Sequence, residues 1–239
     1  MSRTLALTLA VESSSAETSV ALLDGGEPVA VRQWTATKGD AGRLIAEIRA
    51  IYYAGGIRPD AITLYAVGLG PGGFTGLRTA AATVQAMALP SRTPVIGICS
   101  ADATAVAIRR KHGSGNPVLI IGDARRDRLW SVPYPRSDQE SSFPEPRVTP
   151  VAEAARLLDT PGLVIATADW SRIGPVLEQL APPSATLVRE NRFPEASDIG
   201  RLAIQRFQTG TAPIPVAPIY IHPPVFSAPT FTGCAGLPT

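Results

Sequence analysis

Apolar runs in the first third of the chain are short and are broken by clusters of turn residues. Leu5 to Val11 reads as a buried strand, SSSAET as a turn, Ser19 to Leu23 as a second strand, and Asp24-Gly25-Gly26 as a tight turn before an extended run from Pro28 to Trp34. This predicts an antiparallel three-stranded opening. The period then changes. From Asp40, placed to cap a helix, apolar residues fall at Leu44, Ile45, Ile48, Ile51 and Tyr52 until Gly55-Gly56 ends the pattern. Ala61 to Val67 predicts a strand, Gly68 to Gly73 a turn, Phe74 to Leu89 a long helix, and Pro94 to Cys99 another strand. Ser100 is placed to cap a helix over Ala101 to Lys111, and His112 to Asn116 reads as a loop. The lobe boundary is set there, giving lobes at 1–113 and 114–239.

The second half opens in the same way. Val118 to Ile121 and Leu129 to Tyr134 flank DARRDR as a hairpin, and Pro133 to Pro150, rich in Pro, Ser and Glu, predicts a surface excursion. A short helix over Val151 to Leu158, a strand over Leu163 to Thr167, and helices over Ile173 to Leu180 and Ala196 to Thr209 follow. The tail from Ala212 holds seven of the chain's 23 prolines, so it reads as extended and only partly tied down.

The run GLGPGGFTGLR, Gly68 to Arg78, is the densest chemical signal. Glycines at 68, 70, 72, 73 and 76 permit positive φ angles and close approach of backbone or ligand. A helix starting at Phe74 would offer free N–H groups to an anion. Yet no Lys follows the last glycine as in a P-loop, and no acidic residue lies about 20 positions on to hold a ribose. If the chain itself held a nucleotide, Glu12, Ser13, Gly72 and Gly73 would be the residues to meet it. Behind the turn, Gly76, Thr79, Ala80, Ala81, Ala82, Thr83 and Ala86 leave little side-chain bulk on the helix. That suits close helix packing, inside the chain or across an interface.

Composition narrows the classes. With 45% apolar and 18% charged residues the chain can bury a sizeable core, and a net charge of +2 gives no strong field for nucleic acid or membrane. Arg109, Arg110 and Lys111 read as cations at a helix C-terminus, and Arg125, Arg126 and Arg128 as a solvated hairpin tip. Two cysteines, Cys99 and Cys234, make no disulfide framework. The N-terminal stretch lacks the features of a signal peptide, and no run reaches the ~20 apolar residues of a membrane span, so a cytoplasmic location without membrane contact is expected. His112 and His222 have no metal-ligand spacing, so no metal site is expected. Gly97-Ile98-Cys99-Ser100-Ala101 faintly echoes a nucleophile elbow, but no acid and His partner follows, and Cys99 reads as a packed core thiol. Glu12 and Asp123 each end the first strand of a lobe and read as partners of turn backbone. No catalytic residue is assigned.

GLGPGGFTGLR, followed by the small-residue helix and PVIGICS, resembles the signature of the bacterial TsaB (YeaZ) family, which takes part in making threonylcarbamoyladenosine in tRNA. AVESSSAETSVALLDGG, DAGRLIAEI, IGDARRDRLWSVPY and APIYI resemble further family segments, so the likeness runs along nearly the whole chain. It implies an α/β fold of the actin and Hsp70-like (ribonuclease H-like) type, with two lobes, each a mixed sheet flanked by helices. It also implies a scaffold without intrinsic activity that pairs with a TsaD-like catalytic subunit and acts with a TsaE-like ATPase, meeting tRNA through the complex. ATP or ADP would belong to that complex, with no cofactor intrinsic to this chain, and the same helices could pair two copies when the chain is alone. The implied contact uses the first two helices: Leu44 and Ile48 on one, and Phe74, Thr75, Gly76, Leu77, Arg78, Ala80, Ala81 and Val84 on the other. Departures from the family pattern are Glu12 in place of Asp, Asp40 and Ala41 in place of His and a hydroxyl residue, Ala46 in place of Pro, and His222 where Arg often stands. The alternative from another class is an autonomous actin-like nucleotide hydrolase or a peptidase.

Overall fold

A computed structural model describes residues 7–37, 42–113, 115–136, 145–210 and 215–221. The expected cap Asp40, its neighbour Ala41, the tail residue His222 and Cys234 lie outside them.

The opening strands are β1 (Leu7–Glu12), β2 (Glu17–Asp24) and β3 (Glu27–Thr35), paired antiparallel in sequence order. β1 and β2 are apolar on both faces because helices cover both sides of the sheet, whereas β3 is an edge strand and alternates. After α1 (Arg43–Gly55), β4 (Ile62–Gly68) joins β1 in parallel; α2 (Phe74–Ala88) then returns the chain to β5 (Val95–Ile98), parallel to β4. The first sheet therefore has the order β3-β2-β1-β4-β5.

α3 (Ser100–His112) leads to the second sheet. β6 (Val118–Asp123), β7 (Arg128–Tyr134) and β8 (Arg147–Pro150) pair antiparallel, and the short α4 (Ala155–Leu158) precedes β9 (Val164–Thr167), which is parallel to β6. α5 (Trp170–Leu180) and β10 (Thr186–Asn191) complete the order β10-β9-β6-β7-β8. The two sheets share one topology: a three-stranded antiparallel meander whose first strand also receives a parallel strand, which a second parallel strand extends. No short repeat in the sequence announces this.

Two strands were not expected. Residues 147–150 of the proline-rich excursion pair with β7 as β8, and β10 was not anticipated at all. Both are edge strands with little buried side chain: Val188 is the sole buried residue of β10, so neither carries a hydrophobic signal.

α1 and α2 lie on one face of the first sheet, α1 over β2 and β3 and α2 over β1, β4 and β5. Leu44, Ile48 and Ile51 of α1 and Ala80, Val84 and Ala88 of α2 share a core there with Leu9, Val11, Tyr65 and Val67. The opposite face is covered from far along the chain, by Ala196, Ile199, Leu202 and Ala203 of α6 (Ala196–Thr209). α3 instead buries Ala101, Ala105 and Ile108 against Val118, Ile120 and Val164 of the second sheet. The chain passes from one sheet to the other between α3 and β6, but α6, within the segment assigned by sequence to the second lobe, packs on the first.

Candidate partner surface and inter-lobe cleft

Glycine turn and the β1–β2 turn meet face to face. A Cβ on Gly72 would collide with the carbonyl oxygen of Ser14, one on Gly76 with that of Ser13, and one on Gly68 with the carboxylate of Glu12. The glycines thus admit the chain's own backbone. The Gly73 N–H donates to the Ser14 carbonyl at 2.7 Å, joining the turn to the start of α2.

Glu12 is the centre of this joint. It is fully buried; Oε1 accepts from the Ser14 N–H at 2.6 Å and Oε2 from the Ser100 hydroxyl at 2.7 Å. Ser100 in turn accepts from the Gly70 N–H at 3.0 Å. Ser100 is therefore the first residue of α3, with Cys99 in the cap position, and its hydroxyl serves the neighbouring turn in place of its own helix. Burial pushes the Glu12 carboxyl above its ordinary range, with the hydrogen bonds from Ser14, Ser100 and Ser13 opposing. Of the four residues proposed to meet a nucleotide, Gly72 and Gly73 line the cleft between the lobes; Glu12 and Ser13 do not.

That cleft has a volume of about 500 Å³. Ser14, Gly72 and Phe74 line it from the first lobe, and Asp123, Arg125, Asp169 and Arg172 from the second. Asp123 accepts from the Arg125 N–H at 2.6 Å, as its turn position predicts, and pairs with the guanidinium of Arg125 and closely with that of Arg172. Burial pushes the Asp123 carboxyl up, but the Arg125 N–H and the two guanidiniums together outweigh it and hold the group low. The hairpin tip turns through three consecutive left-handed residues, Arg125, Arg126 and Asp127, at φ 62°, 52° and 55°.

Burial divides the ten residues expected on the partner surface. Leu44, Ile48, Leu77, Ala80, Ala81 and Val84 are buried in the chain's own core, and Gly76 sits half-buried against Ser13. Phe74, Thr75 and Arg78 face outward. Helical geometry accounts for the division: apolar periodicity marks the face toward the sheet, and the outward face lies between those positions. On α1 the free face carries Ile45, Ala46, Arg49 and Tyr53, the last 92% exposed; on α2 it carries Thr75, Arg78, Ala82, Gln85, Ala86 and Leu89, the last 76% exposed.

The tail segment 215–221 runs against α2. Ile219 N–H donates to the Leu69 carbonyl at 2.7 Å, and Gln85 donates to the Val216 carbonyl at 3.3 Å. Ile219 packs against the cores of both lobes. Tyr220 stacks on Phe74 with ring centroids 5.3 Å apart, and its hydroxyl oxygen accepts from Arg78 Nε at 2.8 Å.

A second inter-lobe joint has no sequence signal. Buried Asp102 of α3 accepts from the Tyr134 hydroxyl of β7 at 2.6 Å and from Arg206 of α6 at 2.8 Å. Cys99 lies buried beside it, its thiol pushed up to about 12 by burial and then by the charge of Asp102, which suits the core role expected of it. His112 ends α3, with its Nε2 buried and lacking a hydrogen-bond partner among the described residues. Among the described residues no helix is long and apolar enough to cross a membrane.

Two α/β lobes of matching topology, closing on a cleft, define a protein of the two-lobed actin and Hsp70-like class. Residues 35–185 match the family model of TsaD, described as tRNA N6-adenosine threonylcarbamoyltransferase. The chain is 33% identical over 137 residues to the tRNA threonylcarbamoyladenosine biosynthesis protein TsaB of Haemophilus influenzae, a match spanning 57% of each chain. It is 26% identical over 210 residues to the protein of that name from Escherichia coli, covering 84% of this chain and 87% of the relative. YeaZ from Pseudomonas aeruginosa superposes with a TM-score of 0.75 at 26% identity, covering 90% of this chain and all of that one. The chain belongs to the family that the TsaD model describes and, by these relatives, to the TsaB (YeaZ) family.

Proposed function

We propose that the chain is a scaffold subunit without catalysis of its own, which pairs with a TsaD-like protein through the outward faces of α1 and α2. The TsaB-named relatives and the TsaD family model support a role in threonylcarbamoyladenosine biosynthesis, and the pairing is the finer reading. One observation carries it: two neighbouring helices present a free face of small and apolar residues, Ala46, Tyr53, Ala82, Ala86 and Leu89, while their inward faces are fully used by the chain's own core. Small residues let a partner helix approach closely, and the exposed Tyr and Leu supply area to bury. In this reading a TsaE-like ATPase and tRNA join at the level of the complex. The glycine turn fixes α2 on the lobe, since its tight approaches are to Glu12, Ser13 and Ser14 of the same lobe.

Light scattering on the isolated chain, the isolated TsaD-like protein of the same organism and their mixture tests the pairing. A heterodimer mass at micromolar concentration is expected, lost in Ala86→Trp with no change in melting temperature because Ala86 is exposed. Ala80 and Ala81 are unsuitable probes, since Trp there would disrupt the core. No mixed species at that concentration, or only a homodimer, would sink the reading.

A further inference from the structure

α2 holds one charged residue in its whole length, Arg78. Its guanidinium carbon lies 3.8 Å from the centroid of the Phe74 ring and 5.6 Å from that of Tyr220, with Nε committed to the Tyr220 hydroxyl. Tyr220 is itself anchored through its neighbour, Ile219, to the Leu69 carbonyl. An exposed arginine ordinarily loses much rotamer freedom when it binds; here two rings and a hydrogen bond have already fixed the plane. No acidic residue among the described ones pairs with Arg78. Its two Nη groups therefore remain for a planar anion.

We infer that Arg78 is a preorganised anchor for a carboxylate on the partner protein, an inference that rests on the pairing proposed above. A carboxylate accepts two parallel N–H bonds from the edge of a guanidinium, a match of shape as well as charge. The surroundings favour a protein over a nucleic-acid backbone. Phosphate binding draws affinity from several cations at once, whereas the other outward positions of α2 are Phe74, Thr75, Ala82, Gln85 and Ala86, with Leu89 just past its end. Such neighbours exclude water around one charged pair, as the rim of a binding hot spot does.

Affinity for the TsaD-like protein, measured at two salt concentrations by calorimetry, tests the assignment. Arg78→Gln is expected to weaken pairing about tenfold or more and to flatten its salt dependence. Arg78→Lys should recover only a small part, because the ammonium keeps the charge and loses the fork. Tyr220→Phe, which keeps the ring and removes the hydrogen bond, should cost a few-fold. If Ala86→Trp abolishes pairing and Arg78→Gln leaves affinity unchanged, Arg78 is no anchor while the docking surface stands. If neither changes affinity, the docking surface fails and the anchor with it. Full recovery by Arg78→Lys, or weakened tRNA binding by Arg78→Gln with pairing intact, also overturns the carboxylate assignment. Should Arg78→Gln lower the melting temperature, Tyr220→Phe decides, and unchanged affinity there refutes the anchor.

Discussion

Single atoms decide the glycine turn. Because the positions where a Cβ would strike Ser13 and Ser14 are backbone carbonyls, neither side can yield cheaply, and Gly72→Ala or Gly76→Ala should each cost about 2–3 kcal/mol, read from the urea midpoint. An unchanged midpoint would show that the two turns are loosely apposed. Glu12 makes a pH prediction. Its carboxyl is raised in the folded state above the ordinary 4.5, so the folded protein binds the proton more tightly than the unfolded chain. The stability this contributes is full below pH 4.5 and is lost as pH rises through the folded value. Wild type should therefore lose stability relative to Glu12→Gln across that rise, measured by thermal melts from pH 4 upward, and parallel curves would refute it. The sequence showed where glycine was needed, since five glycines in nine residues have few other uses. It could not show that the space belonged to Ser13 and Ser14, because that approach is made by residues about sixty positions away and by atoms every residue carries.

Helices and strands differ in how plainly they were written. α1, α2 and α6 have apolar spacing that names the buried face, and their existence was legible; the outward faces of α1 and α2 were not, because their mixture of alanine, polar and single apolar residues has no periodic signal of its own. β8 and β10 were missed for a related reason, each being an edge with almost nothing buried. Polar joints between elements are the least legible, since Asp102, Tyr134 and Arg206 share no motif. Removing the acid leaves a guanidinium and a phenol without their common acceptor in a buried place. Asp102→Ala should destabilise the protein by about 3 kcal/mol in urea unfolding. The double variant with Arg206→Met should recover part of the loss, and strictly additive costs would show that the two residues do not act together.

Across the molecule, the tail and the Asp102 joint both connect the lobes. Ending the chain at residue 214 removes Ile219 from the two cores it bridges and uncovers Phe74. The shortened chain should be cleaved faster than wild type by a trace of protease, near the glycine turn and the β6–β7 tip, with similar far-ultraviolet dichroism. Equal cleavage would mean that the tail holds nothing. The two-lobed class was legible through the family resemblance, with which two halves that each open on strands before turning helical agree. The exchange of helices was not, since which sheet an amphipathic helix covers depends on the path of the chain and not on the helix.

That exchange bears on how the protein is made. β5 leaves the ribosome long before α6, so one face of the first sheet stands bare while the second lobe is being synthesised, an interval on the order of ten seconds at ordinary translation rates. During it Ala10, Ala21, Leu23 and Leu64 lack the cover that α6 gives them, and they are strand residues open to other chains. The nascent first lobe is thus exposed to wrong association until α6 closes over its first strands.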